Sequence, residues 1–413
     1  MEVDAPTASS STSPLSYLEH QEAGASAELK PLWTKIRTQY EKKLWHNLTV
    51  TLSEFVSNPA SGPYQIELFE KFISTIEDKI NALKLVEIAR RVGREYSEPD
   101  VTLKFLQSVH SRLASPYPVE ATETSPAQPA PSRPIPEAYA LSLSSIAYAQ
   151  LLLGDLPATK KSLDECEALL AEQDTVEPVV NAGFYGVAGD YHKVKADYGP
   201  YYKNALLYLA CVDMSTEMSA EERKSRAHDL CIAALLGDTI YNFGELLQHP
   251  ILQELENTEW QWIKDLIGAF NKGEIGKFES YSTQFGTEPI LQNSFSFLRQ
   301  KICLMALIQF AFSRPRKGAS RSTTFQSVAE ATHLPVHEVE HLIMKGLSLG
   351  LIRGTIDQVD KTVDITWVQP RVLEDDQLKT LHDLFGSWRN NVKWVASETE
   401  RRRVEARQKI VSA

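Results

Sequence analysis

The sequence predicts a mainly α-helical protein, a tetratricopeptide-like solenoid of helical repeats followed by a winged helix and one long C-terminal helix. Three observations carry this. Apolar residues recur at i, i+3, i+4 and i+7 along most of the chain, paired helical segments return at a spacing of roughly 35 to 45 residues, and only one late segment alternates with period two. With 413 residues and 43% hydrophobic composition, the chain is long enough to bury a sizeable core in two or three packed units.

The elements follow in order. Residues 1–26 are small, polar and Ser/Thr-rich, with too few large apolar side chains to offset the entropy of ordering, so a mobile tail is expected. Residues 27–114 then read as successive amphipathic helices, with Leu44, Leu48, Leu52 and Phe55 on one stripe and Leu68, Phe69, Phe72, Ile73, Ile76 and Ile80 on another. Segment 115–136 places Pro116, Pro118, Pro126, Pro129, Pro131, Pro134 and Pro136 among Ala, Ser and Thr, which removes backbone donors repeatedly and predicts an exposed linker.

Residues 137–295 return to helical pairs. Ala138 to Leu153 and Ala158 to Glu172 form a hairpin about a Gly154-Asp155 turn, with Leu163, Cys166, Leu169 and Leu170 inward. A second pair is expected from Val179 to Tyr198 and Tyr201 to Met214, broken at Gly199-Pro200. Further helices are read at Arg223 to Leu236, Phe243 to Gln248, Thr258 to Asn271 and Ile275 to Phe285.

Residues 296–373 change character. Helical patterns at Ser296 to Phe312, Phe325 to Ala331 and Val336 to Leu349 lead into strand-like runs at Leu351 to Ile356 and Val363 to Val368, where Val363, Ile365 and Trp367 share a face. Three helices and a hairpin make a winged helix. In residues 374–413, Leu378, Leu381, Phe385, Trp388, Val392 and Val395 step by three and four, an apolar seam that requires a partner.

Composition excludes several classes of function. A net charge of −11, from 54 acidic against 43 basic residues, opposes a surface that neutralises phosphate. The helix that would enter a DNA groove offers His337, Glu338, Glu340, His341 and one Lys345, and the wing turn Asp357-Gln358-Val359-Asp360-Lys361 is acidic where a DNA wing is basic. The Arg401-Arg402-Arg403 run alternates with Glu398, Glu400 and Glu405, as a solvated helix face does. Cys166, Cys211, Cys231 and Cys303 are far apart in apolar helical contexts, which suits free buried thiols in a reducing compartment. No secretory signal or run of 18 apolar residues is read, and the Asn47-Leu48-Thr49 sequon falls inside a helical pattern.

One motif mimics chemistry. His337-Glu338-Val339-Glu340-His341 satisfies the zinc-protease pattern H-E-x-x-H, yet the positions for a third ligand hold Met344 and Leu347. The simpler reading buries Val339, Leu342, Ile343 and Leu347 and leaves His337, Glu338 and His341 in solvent. No P-loop, G-x-S-x-G or G-x-G-x-x-G is present, so no catalytic, cofactor-binding or metal-binding residue is expected.

The strings Ala234-Leu235-Leu236-Gly237, Tyr241-Asn242-Phe243-Gly244-Glu245-Leu246-Leu247, His249-Pro250 and Ala269-Phe270-Asn271 resemble one family, as do Gly354-Thr355-Ile356-Asp357 and Trp367-Val368-Gln369-Pro370-Arg371-Val372-Leu373. That family is 26S proteasome non-ATPase regulatory subunit thirteen, regulatory particle non-ATPase subunit nine in yeast nomenclature. The resemblance is tightest from about Ala233 onward and looser before it, where Tyr201-Tyr202-Lys203-Asn204-Ala205 matches, and segment 115–136 looks longer than the family carries. It implies a PCI domain, meaning helical repeats fused to a winged helix that associates laterally with neighbouring subunits. It further implies a non-catalytic scaffold of the regulatory lid in cytoplasm and nucleus, beside other PCI subunits and the deubiquitinase module, with no nucleic acid or membrane partner. The interface expected is the hairpin edge at Ile352, Thr355, Ile356, Val363 and Ile365 together with the seam from Leu378 to Val395. A PCI subunit of the signalosome or of translation initiation factor three shares this architecture and stands as the alternative.

Overall fold

A computed structural model describes residues 14–24, 29–113, 136–214, 218–256, 258–313, 321–372 and 375–411. The chain divides into two compact units, Met1–Glu217 and Met218–Ala413. The division falls inside the 137–295 stretch that the sequence reads as one block. Side-chain packing decides it: the last helical pair of the first unit closes on the helix before it, whereas the helix that follows packs into the winged-helix half.

The first unit begins with α1 (Pro14–Gly24), α2 (Lys30–Glu41), α3 (Trp45–Ser57) and α4 (Gly62–Leu68). A π-helical turn at Phe69–Ile73 joins α4 to the short α5 (Ser74–Ile76), and α6 (Ala82–Val92) and α7 (Pro99–Arg112) complete the series. Helix α1 corrects the expectation of a mobile tail through residue 26. Two apolar side chains suffice to dock it, because Tyr17 and Leu18 are buried beside Trp33, whose ring also meets Phe55 edge-on at 4.8 Å. Arg37 on α2 then ties the polar side to Glu19 at 3.1 Å and Glu22 at 3.2 Å. Residues 1–13 and 25–28 of that expected tail lie outside the described residues, as does the expected linker apart from Pro136.

Pro136 opens α8 (Pro136–Leu152), which pairs with α9 (Leu156–Ala171). Gly154 turns the chain at φ +81°, and the Asp155 carboxylate accepts from Ala158 N at 3.1 Å to cap α9. The second pair, α10 (Pro178–Lys195) and α11 (Tyr198–Cys211), breaks earlier than the sequence suggests. Ala196 takes the left-handed conformation at φ 59°, and Gly199-Pro200 falls in the first turn of α11, where a missing N–H costs nothing.

The second unit starts with α12 (Ala220–Leu236), α13 (Gly244–Gln248), α14 (Gln261–Lys272), α15 (Ile275–Tyr281) and α16 (Pro289–Asn293). Its central helix, α17 (Phe295–Ser313), is long and apolar enough by composition to cross a membrane, yet it packs against α12, α14, α15, α18 (Phe325–Thr332) and α19 (Val336–Ser348). Leu298, Ile302, Met305 and Leu307 are fully buried there.

A strand missing from the sequence reading completes the winged helix. β1 (Arg321–Thr324) is four polar residues with no large apolar alternation, so period-two reasoning passes over it. The sheet order is β1-β3-β2, all antiparallel, with β3 (Thr362–Val368) between β1 and β2 (Ile352–Asp357). A bulge lies between Arg353 and Gly354. A Cβ at Gly354 would fall 2.2 Å from the Asp364 carbonyl oxygen, so only glycine lets the strands close there. Helix α20 (Asp375–Val411) follows.

Candidate assembly surface

Packing on α19 divides the His337-to-His341 motif between two faces. Val339, Leu342 and Ile343 are buried and Leu347 is half-buried, while the His337 side chain is 80% exposed and His341 is exposed. Among the described residues no three His, Cys, Asp or Glu side chains gather as a metal site. Purified protein is expected to carry zinc far below one atom per chain, unchanged by His337→Ala, when metal content is measured by mass spectrometry. Stoichiometric zinc lost in that variant would overturn this reading. Cys166, Cys231 and Cys303 are free and buried, and Cys211 is half-buried; burial pushes the Cys166 thiol up to about 12, far from nucleophilic range.

The wing is anionic and tightly turned. Asp357 Oδ1 accepts from the backbone of Val359 and Asp360, each at 3.0 Å, and Val359 at the tip is 91% exposed. At the expected hairpin edge the structure makes a correction. β3 is the central strand, so both its edges are occupied, and Val363 and Ile365 are buried in the subdomain's own core. Ile352 is buried too, against Gly346 of α19. Of the five sheet residues, Thr355 is exposed and Ile356 half-buried, both on β2, which has a free edge.

Helix α20 presents the seam openly. Leu378, Leu381, Phe385, Trp388, Val392 and Val395 are 39% to 67% exposed together with Leu384 and Trp394, two apolar residues that the strict three-and-four stepping leaves out. Further along, Arg401 and Arg402 reach Glu398 at 3.0 and 3.1 Å, and Arg403 lies 3.6 Å from Glu400, the solvated pairing that the interleaved charges predict. Contiguous apolar exposure of this kind makes the helix a candidate interaction surface.

What anchors α20 is the strap before it. Gln369 donates from its backbone to Leu351 O at 2.8 Å, Arg371 Nη1 donates to Asn271 O at 3.2 Å, and the same guanidinium meets Gln309 on α17. A Cβ on Gly244 would lie 2.4 Å from that of Val372, so the strap needs glycine at the start of α13 to lie flat. The strings around Tyr241 and Trp367 are thus two sides of one contact.

A feature the sequence reading missed sits beneath them. Lys301 on α17 is 1% exposed, and its ammonium donates to the carbonyls of Ala234, Leu235 and Gly237 at 2.8, 3.0 and 2.7 Å, capping the C-terminal end of α12. The rings of Tyr241 and Phe243 stand 5.4 and 5.3 Å from it. Burial drags its pKa down to about 7, opposed by Asp238, while three carbonyl acceptors favour the form with three protons. Its signal in sequence was a single lysine within the apolar run of α17.

With this geometry in view, comparison with known proteins is decisive. A model of PSD13 N-terminal repeats matches residues 32–267, and a PCI domain model matches residues 278–367. The chain is 36% identical over 380 residues to 26S proteasome regulatory subunit RPN9 of Saccharomyces cerevisiae, covering 92% of this chain and 94% of the relative. It belongs to the 26S proteasome non-ATPase regulatory subunit 13 family. The subunit 13 homolog B of Arabidopsis thaliana agrees, at 37% over 384 residues, 92% of this chain and 95% of the relative. Similarity to other PCI proteins is weaker and partial. Eukaryotic translation initiation factor 3 subunit M of Coccidioides immitis is 24% identical over 46% of the chain and 40% of its own, and COP9 signalosome complex subunit 7 of Dictyostelium discoideum is 26% identical over 38% and 56%. The two family models cover the helical repeats and the winged helix, and α20 follows them.

Proposed function

We propose that this chain is a non-catalytic structural subunit of the 26S proteasome regulatory lid, working in cytoplasm and nucleus to hold neighbouring subunits in register for ubiquitin-dependent degradation. The observation that carries the reading is the exposed seam of α20 on a chain that matches the regulatory subunits over 92% of its length. Shielding such a stripe against other helices removes apolar surface from water, and assembly is the way to shield it. The free edge of β2, with Thr355 and Ile356, offers backbone groups to a neighbouring PCI sheet. The strap at Gln369 to Val372 fixes where α20 departs, so the two surfaces act from one base. Held this way, the lid's deubiquitinase module and ubiquitin receptors sit correctly over the ATPase ring.

The signalosome and initiation-factor readings rest on partial, weaker similarity and lose to a match that spans nearly the whole chain. Affinity purification with an N-terminal tag, followed by mass spectrometry, is expected to recover lid and base subunits of the proteasome in stoichiometric amounts. Recovery of signalosome or initiation-factor subunits in their place would sink the proposal.

A further inference from the structure

The first unit has a groove that its own side chains leave open. It holds about 680 Å³ between α9 and α11, with α10 as its floor, and every residue lining it belongs to that unit. From Asn181 to His192 the floor runs three helical turns, roughly 16 Å at 1.5 Å per residue. Phe184 and Tyr191 are buried in it, and Ala188 between them is small, which gives the groove its depth. Leu163 and Leu170 of α9 make one wall apolar, and Leu207 of α11, 44% exposed, stands on the other. The volume falls within the roughly 300–1,000 Å³ of ordinary binding sites.

Charge along the rim is segregated. Because α9, α10 and α11 alternate in direction, Lys160 near the start of α9 and Lys203 near the start of α11 stand at the same end, beside His192. Asp164 and Glu167 follow along the α9 rim, and Asp174 lies at the opposite end. These five charged residues are exposed, and none makes an ion pair with a described residue. Glu165 on the same helix, which does not line the groove, lies 3.9 Å from Lys161.

We infer that this groove docks an amphipathic helix of a partner protein, about three turns long, apolar on the face it buries, anionic where it meets Lys160 and Lys203 and cationic where it meets Asp164, Glu167 and Asp174. Charge complementarity decides the occupant. Opposite charges three turns apart suit a polypeptide rather than one small molecule, and the carboxylates of the rim repel nucleic acid. The helices around the groove satisfy their own backbone groups and leave none to pair with an extended chain, whereas a helix brings its backbone bonds with it. Running parallel to α9, the occupant has its acidic residues in its first turn and its basic ones in its last, as its own dipole favours.

The inference does not rest on the C-terminal seam, and its test uses the full-length chain with the seam blocked by Phe385→Asp and Trp388→Asp. The probe is a fluorescein-labelled helical peptide of about 14 residues, roughly 20 Å long. It carries two glutamates in its first turn, two lysines in its last and leucines three and four apart between them. Anisotropy is followed at low salt, with thermal melting of each variant alongside, and saturable binding is expected. Asp164→Lys with Glu167→Lys should weaken it about tenfold by turning attraction into repulsion, and should tighten binding of the same peptide with glutamates in place of its lysines. Leu207→Asp, at an exposed position where the change costs the fold little, should weaken the original peptide by about tenfold as well. Glu54→Lys with Asp100→Lys makes the same change of net charge on α3 and α7, outside the groove, and should leave binding as it was. Absence of saturable binding, or an equal loss with both pairs of lysine variants, would overturn the inference. Self-association of the seam-blocked chain that Leu207→Asp abolishes in sedimentation would overturn it too, by making a second copy the occupant.

Discussion

Full-length protein carrying Phe385→Asp and Trp388→Asp is expected to keep its helical content and melting temperature yet fail to enter the assembled lid. Both side chains are mostly in solvent, 61% and 66% exposed, so replacing them removes little intramolecular packing. In an interface each would contribute about 1.5–3 kcal/mol from burial alone, and each aspartate would in addition have to be desolvated without a partner. Together these place the loss at roughly 4 kcal/mol or more, about a thousandfold in affinity. Competition between variant and wild type for reconstitution with the other purified lid subunits measures it. Incorporation of the variant on equal terms would remove the seam from the interface.

Replacing Lys301 with methionine is expected to act in the opposite way, on the fold before assembly. The methionine fills the volume, so the cost is not a cavity; it is that the carbonyls of Ala234, Leu235 and Gly237 are left buried without a donor. At about 1–3 kcal/mol for each buried group orphaned, partly recovered by relaxation, a loss of roughly 3 kcal/mol is expected in urea unfolding of the second unit. The pH dependence distinguishes this from a packing defect. Because the folded-state pKa, about 7, lies below the unfolded value of 10.5, the unfolded chain holds the proton more tightly between them. The contribution of Lys301 to stability therefore falls as pH drops from 10.5 towards 7 and is constant below, and the difference between wild type and Lys301→Met should widen as pH rises. A difference that is flat from pH 7 to pH 10 would show that the ammonium keeps its proton throughout. Stability unchanged by the substitution would show that the cage is not a cap.

Much of the architecture was legible locally. The Gly154-Asp155 turn, the burial of Val339, Leu342 and Ile343 against the exposure of His337, and the stepping of the α20 seam all follow from side-chain periodicity and turn chemistry within a few residues. The exceptions also have physical reasons. α1 was missed because its docking needs only Tyr17 and Leu18, a signal too short for a periodicity to register. The α10 to α11 break moved to Ala196 because proline is tolerated in a helix's first turn and the left-handed turn formed without glycine. β1 was missed because Arg321 to Thr324 carry no apolar alternation; its place is given by pairing with β3, about forty residues away in sequence.

The interface reading shows the same divide within one list. By itself the sequence determined that the chain is helical repeats with a winged helix, that the surface is acidic, and that the last helix carries a stripe with no partner in its own pattern. Only the tertiary structure decided that Val363, Ile365 and Ile352 belong to the core, that the Gly244 and Arg371 strings meet, and that a lone lysine closes α12. Periodicity records which residues leave water but not what they leave it for. That choice is made by contacts between segments far apart in sequence, whose energies no local pattern encodes.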